Sequence, residues 1–484
     1  MTLGKRENHS DMPVGIDAKG KRTESDSMGK IDVPANRYWG AQTQRSLIHF
    51  SIGDERMPKA VYHAYGYVKK ASALLHKQAG RMDADTADAI IQACDETIDG
   101  MLDESYPLYV YQTGSGTQSN MNVNEVISNR AIQLLGGELG AKDPVHPNDH
   151  VNMGQSSNDS FPTAMHIAMV QALEEQLFPA VEKLAAAIGT KAAQWMQRPK
   201  IGRTHLQDAV PLTVGQEWSG YEAQLRDALR RLQQARDGLY PLAAGGTAVG
   251  TGLNAPEHFS KAMAQTLAEL TNRPFVTAPN KFAAQGSLDP TVAVMAALRG
   301  LAVALMKIAN DLRWLGSGPR CGIGELKLPE TEPGSSIMPG KVNPTVCEAL
   351  VMIAIQVIGL DNAVAFAGSQ GNFELNAMRP ILINNVLRAN SILSDGCDMF
   401  RQYTVEGTEL DDATIDTDLR QSLMLVTALS PEIGYDKAAE IAHKASEEGS
   451  TLKDATLSLG YMDEDEFDRI ADPKRMTGSG VSGA

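Results

Sequence analysis

The chain has only four cysteines in 484 residues, and they lie far apart at Cys94, Cys321, Cys347 and Cys397. Their spacing matches no metal-ligand pattern, so neither an iron–sulfur cluster nor another bound metal is expected, and we predict no cofactor. Scattered cysteines of this kind are usually buried thiols in a reducing compartment. This indicates the cytosol or an organelle matrix, and we predict a cytoplasmic protein.

Basic residues are also in short supply. Lysine and arginine total 44 against 59 aspartates and glutamates, which gives a formal net charge of −15. A chain with this balance and no basic run should repel nucleic acid and anionic membranes, so neither is predicted as a partner. Any anionic ligand must therefore be held by local positive potential rather than by the field of the whole molecule.

The sequence lacks a long uninterrupted hydrophobic run. Arg299 and Lys307 interrupt one apolar stretch, and Gln356, Asp361 and Asn362 interrupt another, so no membrane span is expected. The first 25 residues mix acidic and basic side chains and contain no apolar core of a signal peptide. We predict a disordered polar extension over residues 1–25, with the ordered chain beginning near Asp26.

No convincing set of alternating strands appears, whereas helical periodicity is strong. From Asp289 apolar residues recur in a heptad seam that ends before Gly316, which is typical of long helices packed at shallow angles. Residues 165–188 and 382–400 show comparable runs, the first with a bend expected at Pro179. Residues 345–369 are apolar on nearly every face and should be buried all round. The pattern predicts an all-α bundle whose central helices pack against other subunits.

Residues 334–344 read Gly-Ser-Ser-Ile-Met-Pro-Gly-Lys-Val-Asn-Pro, and this is the most informative stretch of the sequence. Pro344 suits the first position of a helix and Asn343 the cap before it. The unpaired N–H groups of a helix start, together with Lys341, form a receptor for an anion. The stretch resembles the signature of the fumarase/aspartase superfamily, whose members make or break a bond β to a carboxylate.

Four further polar loops support the resemblance. They contain Thr113–Asn122, His146–Asp149, Gly154–Asp159 and Gly202–Asp208. Taken singly, each loop is more typical of a helix cap or a turn. Taken together and in this order, they resemble the iron-independent, class II fumarases. Histidine at position 205 and glycine at 340, where aspartases carry glutamine and alanine, favour water over ammonia as the group added to fumarate.

The resemblance covers nearly the whole chain after about residue 26, and it implies the domain organisation. It predicts an N-terminal, mostly helical domain over residues 26–155, a central bundle of five long helices over 156–412, and a small C-terminal helical domain over 413–484. Relatives of this kind are homotetramers with a twenty-helix core, so a homotetramer with active sites shared between subunits is expected. The substrate implied is a small dicarboxylate.

The resemblance also implies roles for individual residues. Ser335 would remove the C3 proton of malate, His205 would handle the hydroxyl with Glu348 orienting its ring, and Lys341 and Asn343 would stabilise the doubly charged aci-carboxylate. The residues implied to bind the substrate carboxylates are Ser115, Thr117, Ser156, Ser157, Asn158, Thr204, Ser336, Lys341 and Asn343. A secondary carboxylate site is implied at His146, Pro147, Asn148 and Asp149, where a plain loop is an equal alternative.

One inference needs no relative. A predicted helix of about 34 residues between Asn158 and His205 would span roughly 50 Å at 1.5 Å per residue. Loops at opposite ends of such a rod cannot contact one small substrate, so a site using both must be assembled from different chains. Two alternative functions remain at this point, an aspartate ammonia-lyase and a non-catalytic, crystallin-like relative.

Overall fold

A computed structural model of the protein describes residues 12–480. These residues form two compact units whose segments alternate along the chain. The first unit comprises the described residues up to Leu177, then Arg231–Arg299 and Gln356–Ser391. The second comprises Phe178–Arg230, Gly300–Ile355 and the described residues from Ile392 onward. The three-segment division expected from sequence stays a prediction.

Helices dominate both units, as the periodicity predicts. The α-helices are α1 (Ala41–His49), α2 (Lys59–Gln78), α3 (Ala84–Ile98), α4 (Thr117–Leu134), α5 (Ser157–Ala172), α6 (Phe178–Gln194), α7 (Val214–Asp237), α8 (Phe259–Thr271), α9 (Lys281–Gly286), α10 (Asp289–Leu315), α11 (Thr345–Gly368), α12 (Arg379–Phe400), α13 (Asp412–Gln421), α14 (Ser430–Ile433), α15 (Tyr435–Glu448), α16 (Leu452–Leu459) and α17 (Glu464–Ile470). Short π-helical turns cover Pro147–Val151, Leu173–Leu177 and Arg401–Val405. Short 3-10 helices cover Asp103–Ser105, Leu423–Ala428 and Pro473–Met476.

The heptad prediction for α10 is confirmed. The helix begins at Asp289 and ends at Leu315, and the N–H of Gly316 closes it by donating to the carbonyl of Leu312 at 2.9 Å. Residues of the predicted seam, among them Leu298 and Leu305, are fully buried. The bend expected at Pro179 stays a prediction, while a π-helical turn, Leu173–Leu177, separates α5 from α6 just before it. Proline has no N–H to donate into the preceding turn, and this favours such a break.

Two expectations about the apolar helices are wrong for the single chain. Helix α11 is not buried all round: Met352, Ile355 and Phe366 are 63, 58 and 74% exposed. By length and composition alone, helices α10 and α11 are also long and apolar enough to cross a membrane, each with a mean hydropathy of 1.9. Too few charges interrupt them, because each contains an 18-residue window with at most two charged residues. The charge at Asp361 is paired inside the first unit, where Arg299 donates to it at 2.7 Å.

Strands are short and occur only in pairs within the described residues. The pairs are β1 (Lys21–Asp26) with β2 (Gly29–Pro34), β3 (Pro199–Thr204) with β4 (Gln207–Thr213), β5 (Pro241–Leu242) with β6 (Val276–Thr277), β7 (Leu326–Lys327) with β10 (Glu409–Leu410), and β8 (Gly371–Asn372) with β9 (Leu375–Asn376). All are antiparallel except β5 with β6. The all-α prediction is therefore confirmed at the level of fold class, with two substantial hairpins that the sequence analysis missed.

The predicted disorder up to residue 25 is wrong for the part of it that folds as β1. Buried Glu24 is held by Arg22 at 2.6 Å and by the amide of Asn129 at 3.1 Å. Asp26 is held by Arg45 at 2.8 Å. Polar contacts of this kind leave no hydrophobic pattern in the sequence, which is why composition alone indicated disorder. Residues 1–11 of the predicted extension lie outside the described residues.

Candidate active site

Three hydroxyl groups lie side by side in the first unit. The Ser115 and Thr117 hydroxyl oxygens are 2.8 Å apart, and those of Thr117 and Ser157 are 2.7 Å apart. The turn before α4 is tight because Gly116 has a φ of 82° and a Cβ there would strike the Phe161 ring. Residues that the sequence analysis singled out in two separate loops are therefore brought together at the starts of α4 and α5.

The start of α5 is a capping box. The Ser156 hydroxyl accepts from the N–H of Asn158 at 3.1 Å, while the Asp159 carboxylate accepts from the N–H of Ser156 at 2.9 Å. The amide of Asn158 donates to the carbonyl of Ala248 at 2.8 Å. The Ser156 hydroxyl keeps its own proton available, and the positive end of the helix dipole lies beside it. The arrangement suits a carboxylate ligand.

A cleft of about 600 Å³ opens over these helix starts. Its lining includes Thr117, Asn120, Asn148, Asp149, Ser156 and Ser157. Two of the residues predicted for a secondary carboxylate site thus line the same cleft as three of the residues predicted to bind substrate. His146 and Pro147 line a smaller cavity of about 250 Å³, which Asn148 also borders.

His146 uses one ring nitrogen to cap the π-helical turn that follows it. Its Nδ1 accepts from the main-chain N–H groups of Asn148 and Asp149 at 3.2 and 3.1 Å. An imidazole that accepts at Nδ1 is neutral and carries its proton on Nε2. Burial lowers the pKa of His146, against the opposing effect of the Asp149 carboxylate. The secondary site stays a prediction, since the cap alone accounts for this geometry.

In the second unit His205 lies at the tip of the β3–β4 hairpin. Thr204 pairs with Gln207, so His205 and Leu206 form a two-residue turn, with φ angles of 56° and 60°. Positive φ at both positions defines a type I′ turn, which asparagine or glycine usually fills. A histidine held in this conformation carries a local strain and projects its ring into solvent. Thr204 and His205 are both exposed in the protomer.

A buried ion-pair cluster anchors this hairpin. Lys200 lies 2.8 Å from Glu217 and 2.9 Å from Glu325, and Arg203 lies 2.7 Å from Glu325 and 3.2 Å from Asp418. The side chains of Lys200 and Glu325 are 2% and 1% exposed. The guanidinium of Arg203 is surrounded by carboxylates, which raise its pKa despite burial. Two positive and three negative side chains therefore fix the strands that carry His205.

The Gly334–Pro344 loop folds back on itself at its base. A Cβ at Gly334 would lie 1.9 Å from the carbonyl oxygen of Lys341, and the amide of Asn343 donates to the carbonyl of Gly334. The Ser335 hydroxyl accepts from the N–H groups of Ile337 and Met338 at 3.3 and 3.0 Å. Ser335 is half-buried, whereas Ser336 and Lys341 are exposed.

The predicted helix start after this loop is displaced by one residue. Helix α11 begins at Thr345, and the carbonyl of Pro344 accepts its first hydrogen bond, from Glu348 at 3.1 Å. Pro344 thus occupies the cap position and Asn343 lies outside the helix. The Asn343 side chain is committed to Gly334 instead, which explains why it does not cap. Glu348 lies in the first turn, as predicted, and is exposed in the protomer.

The predicted site residues are divided between the two units. The first unit contains Ser115, Thr117, His146, Pro147, Asn148, Asp149, Ser156, Ser157 and Asn158, and the second contains Thr204, His205, Ser335, Ser336, Lys341, Asn343 and Glu348. Within the protomer's described residues, the His205 ring and the Glu348 carboxylate have no hydrogen-bond partner, so the predicted pair between them is not formed in one chain.

Sequence reasoning missed two buried cations beneath the first-unit cleft. Lys69 of α2 donates to the side-chain oxygens of Asn120, Asn152 and Gln155 at 2.8, 3.0 and 3.1 Å. Arg379 at the start of α12 donates to main-chain carbonyls of the loops that carry the hydroxyl groups. A signal for Lys69 existed, because it falls on the helix face shared by Tyr62 and Tyr65, where a lysine is out of place.

Comparisons with known proteins agree on one family. Residues 29–359 match the family model described as Lyase, and residues 425–478 match that described as Fumarase C C-terminus. A class II fumarate hydratase of Methanosarcina acetivorans is 65% identical over 97% of both chains. One from Thermosynechococcus vestitus is 58% identical, covering 93% of this chain and 96% of that one. The crystal structure of a class II fumarase from Schistosoma mansoni matches with a TM-score of 0.92 at 41% identity, covering 95% and 99% of the two chains.

The fold is that of an all-α lyase, and the enzyme class is hydro-lyase. The chain belongs to the class II fumarate hydratase family. The family expected from the Gly334–Pro344 stretch and its companion loops is thereby confirmed.

Proposed function

We propose that this protein catalyses the reversible hydration of fumarate to (S)-malate, as in the tricarboxylic acid cycle. The observation that carries the proposal is the 65% identity, over 97% of the chain, with a relative named fumarate hydratase class II. The hydroxyl-lined cleft at the starts of α4 and α5 supports it chemically, because the N-termini of helices and hydroxyl groups are suited to a dicarboxylate.

Proton removal is assigned to Ser335. In the dehydration direction its alkoxide takes the C3 proton of malate, and the electron pair moves onto the neighbouring carboxylate as a doubly charged aci-form. The N–H groups of Ile337 and Met338, which point at the Ser335 oxygen, support this role because they would stabilise the alkoxide. Each well-aimed donor, Lys341 and Asn343 among them, contributes about 3–4 kcal/mol to stabilising the aci-form.

Proton transfer to and from the C2 hydroxyl group of malate is assigned to His205. In dehydration the imidazolium gives a proton to the departing C2 hydroxyl, which leaves as water while the C2–C3 double bond forms. In hydration the neutral ring takes a proton from the attacking water. Glu348 would accept a hydrogen bond from the other ring nitrogen and so fix the ring's orientation and raise its basicity. The stiff β3–β4 hairpin supports the assignment, since a general acid–base group must be held in position.

Binding of the substrate carboxylates is assigned to residues of both units. Ser115, Thr117, Ser156, Ser157 and Asn158 would bind from the first unit, and Thr204, Ser336, Lys341 and Asn343 from the second. The secondary carboxylate site at His146–Asp149 is retained as part of the proposal. It is supported by the position of Asn148 and Asp149 on the lining of the substrate cleft.

We propose that the protein is cytoplasmic and forms a homotetramer with a twenty-helix core and active sites shared between subunits. Helical segments follow one another along the chain from Ser157 to Gln194, between the loops that carry Asn158 and His205. Apolar side chains on α10 and α11 are exposed in the single chain, and in the proposed tetramer other subunits would bury them. The four cysteines of the chain are all free thiols, which suits a reducing compartment.

Malate-dependent fumarate formation, followed by the ultraviolet absorbance of fumarate, tests the proposed reaction. The Ser335→Ala variant should lower kcat by about 10²–10⁴-fold with a small change in KM, because it removes the base and leaves the binding groups. Ser369→Ala is the control, since Ser369 is an exposed serine whose hydroxyl donates to the carbonyl of Phe366 and accepts from the side-chain amide of Gln370.

Two results would contradict the proposal. If the wild type releases fumarate from aspartate but not from malate, it is an ammonia-lyase. If Ser335→Ala turns over malate as fast as the wild type, the assignment of the base fails while the reaction stands.

A further inference from the structure

Lys69 is a fully buried cation whose partners are all neutral. Its side chain is 0% exposed, and the acceptors are the amide oxygens of Asn120, Asn152 and Gln155. All three residues line the cleft over the starts of α4 and α5. Buried lysines in proteins are normally paired with a carboxylate. Here, in the described part of the chain, no carboxylate oxygen lies within ion-pair distance of Lys69.

Arg379 repeats this arrangement on the other side of the cleft loops. It is also 0% exposed and donates to the carbonyls of Ser115, Ser157 and Gln285 at 3.3, 3.3 and 3.0 Å. No described carboxylate pairs with it either. A single guanidinium thus joins the two loops whose hydroxyl groups meet at Thr117. The burial lowers the pKa of Arg379 to about 10, although it remains charged at neutral pH.

One buried carboxylate, that of Asp159, interacts electrostatically with both cations, and it already accepts hydrogen bonds from the main chain. Asp159 is 1% exposed and accepts from the N–H groups of Ser156, Gly245 and Thr247 at 2.9, 2.8 and 3.1 Å. Its charge favours the charged form of Lys69 and of Arg379 without hydrogen bonding to either. Two buried basic side chains, Lys69 and Arg379, therefore share one buried carboxylate beneath the cleft, in a chain whose net charge is −15.

We propose that Lys69 and Arg379 are positioning residues that hold the two carboxylate-binding loops through neutral oxygens and supply them with a positive charge that the substrate neutralises. This inference rests on the proposed function. Both side chains act through the residues they hold, since Lys69 contacts Asn120 and Gln155 and Arg379 contacts the backbone of Ser115 and Ser157. A buried charge of this kind is screened little by salt and keeps its effect on a dianion at physiological ionic strength.

The alternative is that Lys69 is only a structural crosslink. A neutral donor would serve that purpose at lower cost, because burial disfavours the charged ammonium and lowers the pKa of Lys69 to about 7. The groups facing the ammonium are Asp159, the Cys94 thiol and the ring of Tyr65, whose centroid is 5.5 Å away. Burial is the largest effect and lowers the pKa of Lys69 to about 7, while Asp159 and Cys94 oppose that shift.

Binding of succinate, an unreactive dicarboxylate, measured by calorimetry on the purified protein, separates the two roles. Lys69→Met should weaken succinate binding by roughly tenfold, the scale expected for a partly screened charge near a dianion, whereas Lys69→Arg should retain most of it. The wild-type affinity should fall as the pH rises from about 6 to about 9, because the ammonium is lost, and Lys69→Arg should not show this lysine-dependent part of the fall.

Lys70→Met is the matched control. Lys70 is the next residue on α2, carries the same charge and is paired with Asp95 at the surface. Its loss should leave the affinity for succinate and its pH profile unchanged. Arg379→Lys keeps the positive charge but loses the several N–H donors of the guanidinium, so it should raise KM for malate. Arg388→Lys is its control, because Arg388 pairs with Glu55 at the surface, and it should leave KM unchanged.

The outcomes distinguish this inference from the proposed function. Equal succinate affinity for wild type and Lys69→Met, with the same pH profile, would overturn the electrostatic role even if the wild type hydrates fumarate. Absence of fumarate hydration by the wild type would instead overturn the proposed function. Should Lys69→Met fail to fold, the pH profiles of wild type and Lys69→Arg decide the question.

Discussion

At the scale of single residues, the first unit places charges where proteins usually avoid them. Lys69 and Arg379 lie at 0% exposure with neutral acceptors, and the buried Asp159 carboxylate accepts from main-chain donors. Keeping each of these groups charged lowers the free energy of unfolding, because moving a charged side chain from water into the protein interior is unfavourable. Such costs are common at functional sites and rare elsewhere, which separates these residues from the exposed ion pairs of the surface.

The pH dependence of stability tests the burial of Lys69. Its pKa is about 7 in the folded protein and 10.5 as a free side chain. Between these values the unfolded chain binds a proton that the folded chain lacks, so the free energy of unfolding rises with pH. We expect the wild type to gain about 2 kcal/mol per protomer relative to Lys69→Met between about pH 7 and about pH 9.

Denaturant unfolding at both pH values, at one protein concentration, gives this difference. Lys70→Met serves as the reference, because Lys70 is the neighbouring lysine on α2 and is only partly buried. If the stability difference between wild type and Lys69→Met stays constant or decreases as the pH rises, burial does not lower the pKa of Lys69.

At the scale of elements, regular helices were predictable and polar hairpins were not. The heptad seam of α10 gave both ends of that helix, because periodic burial of apolar residues is what stabilises it. Hairpin β1–β2 escaped prediction because its ordering depends on polar contacts, among them those of Glu24 with Asn129 and of Asp26 with Arg45, that join residues distant in sequence. The type I′ turn at His205 escaped for another reason: histidine and leucine are unusual in a turn that favours asparagine and glycine.

The candidate site was predicted in part. The motif residues of the first unit do come together at Thr117, Ser157 and Ser115, as their common position before helices indicated. The supporting cations were missed because Lys69 and Arg379 belong to no motif and look like surface charges in sequence. Their role depends on which loops pack against them, and only the folded chain contains that information.

The β3–β4 hairpin gives an element-scale prediction. Lys200 and Glu325 form a buried pair, and Arg203 shares the same carboxylate. Removing one partner leaves charges buried without compensation, so Glu325→Gln should lower the free energy of unfolding by about 3–5 kcal/mol. Because the hairpin carries His205, kcat for malate should fall as well. Chemical denaturation and malate turnover measure the two effects.

Glu448→Gln is the matched control for this substitution. Glu448 pairs with Lys444 one helical turn away on the surface of α15, and such pairs contribute about 0.3–0.5 kcal/mol. If Glu325→Gln were no more destabilising than Glu448→Gln, the buried cluster would not be what holds the hairpin.

At the scale of the whole molecule, the long helices α10 and α11 leave several large apolar side chains exposed. Val303 and Trp314 on α10 are each 54% exposed, and Met352, Ile355 and Phe366 on α11 are more exposed still. Clusters of this kind mark surfaces that another chain covers. The Gly334–Pro344 loop directly precedes α11. In the proposed tetramer, association of subunits through α11 would therefore be linked to completion of the active site.

Shared sites make a prediction about mixtures of inactive chains. Asn158→Ala removes a group proposed to bind substrate from the first unit, and His205→Ala removes the proposed acid–base group from the second. Each variant alone should be inactive in every site of a homotetramer. When the two are co-expressed and assemble at random, a site that takes Asn158 from one chain and His205 from another is intact about a quarter of the time, so about a quarter of the wild-type activity should return. Mixing the purified variants without subunit exchange is the control and should restore nothing. Mixed tetramers, verified by two different affinity tags, that remain inactive would mean that each site draws both residues from one chain.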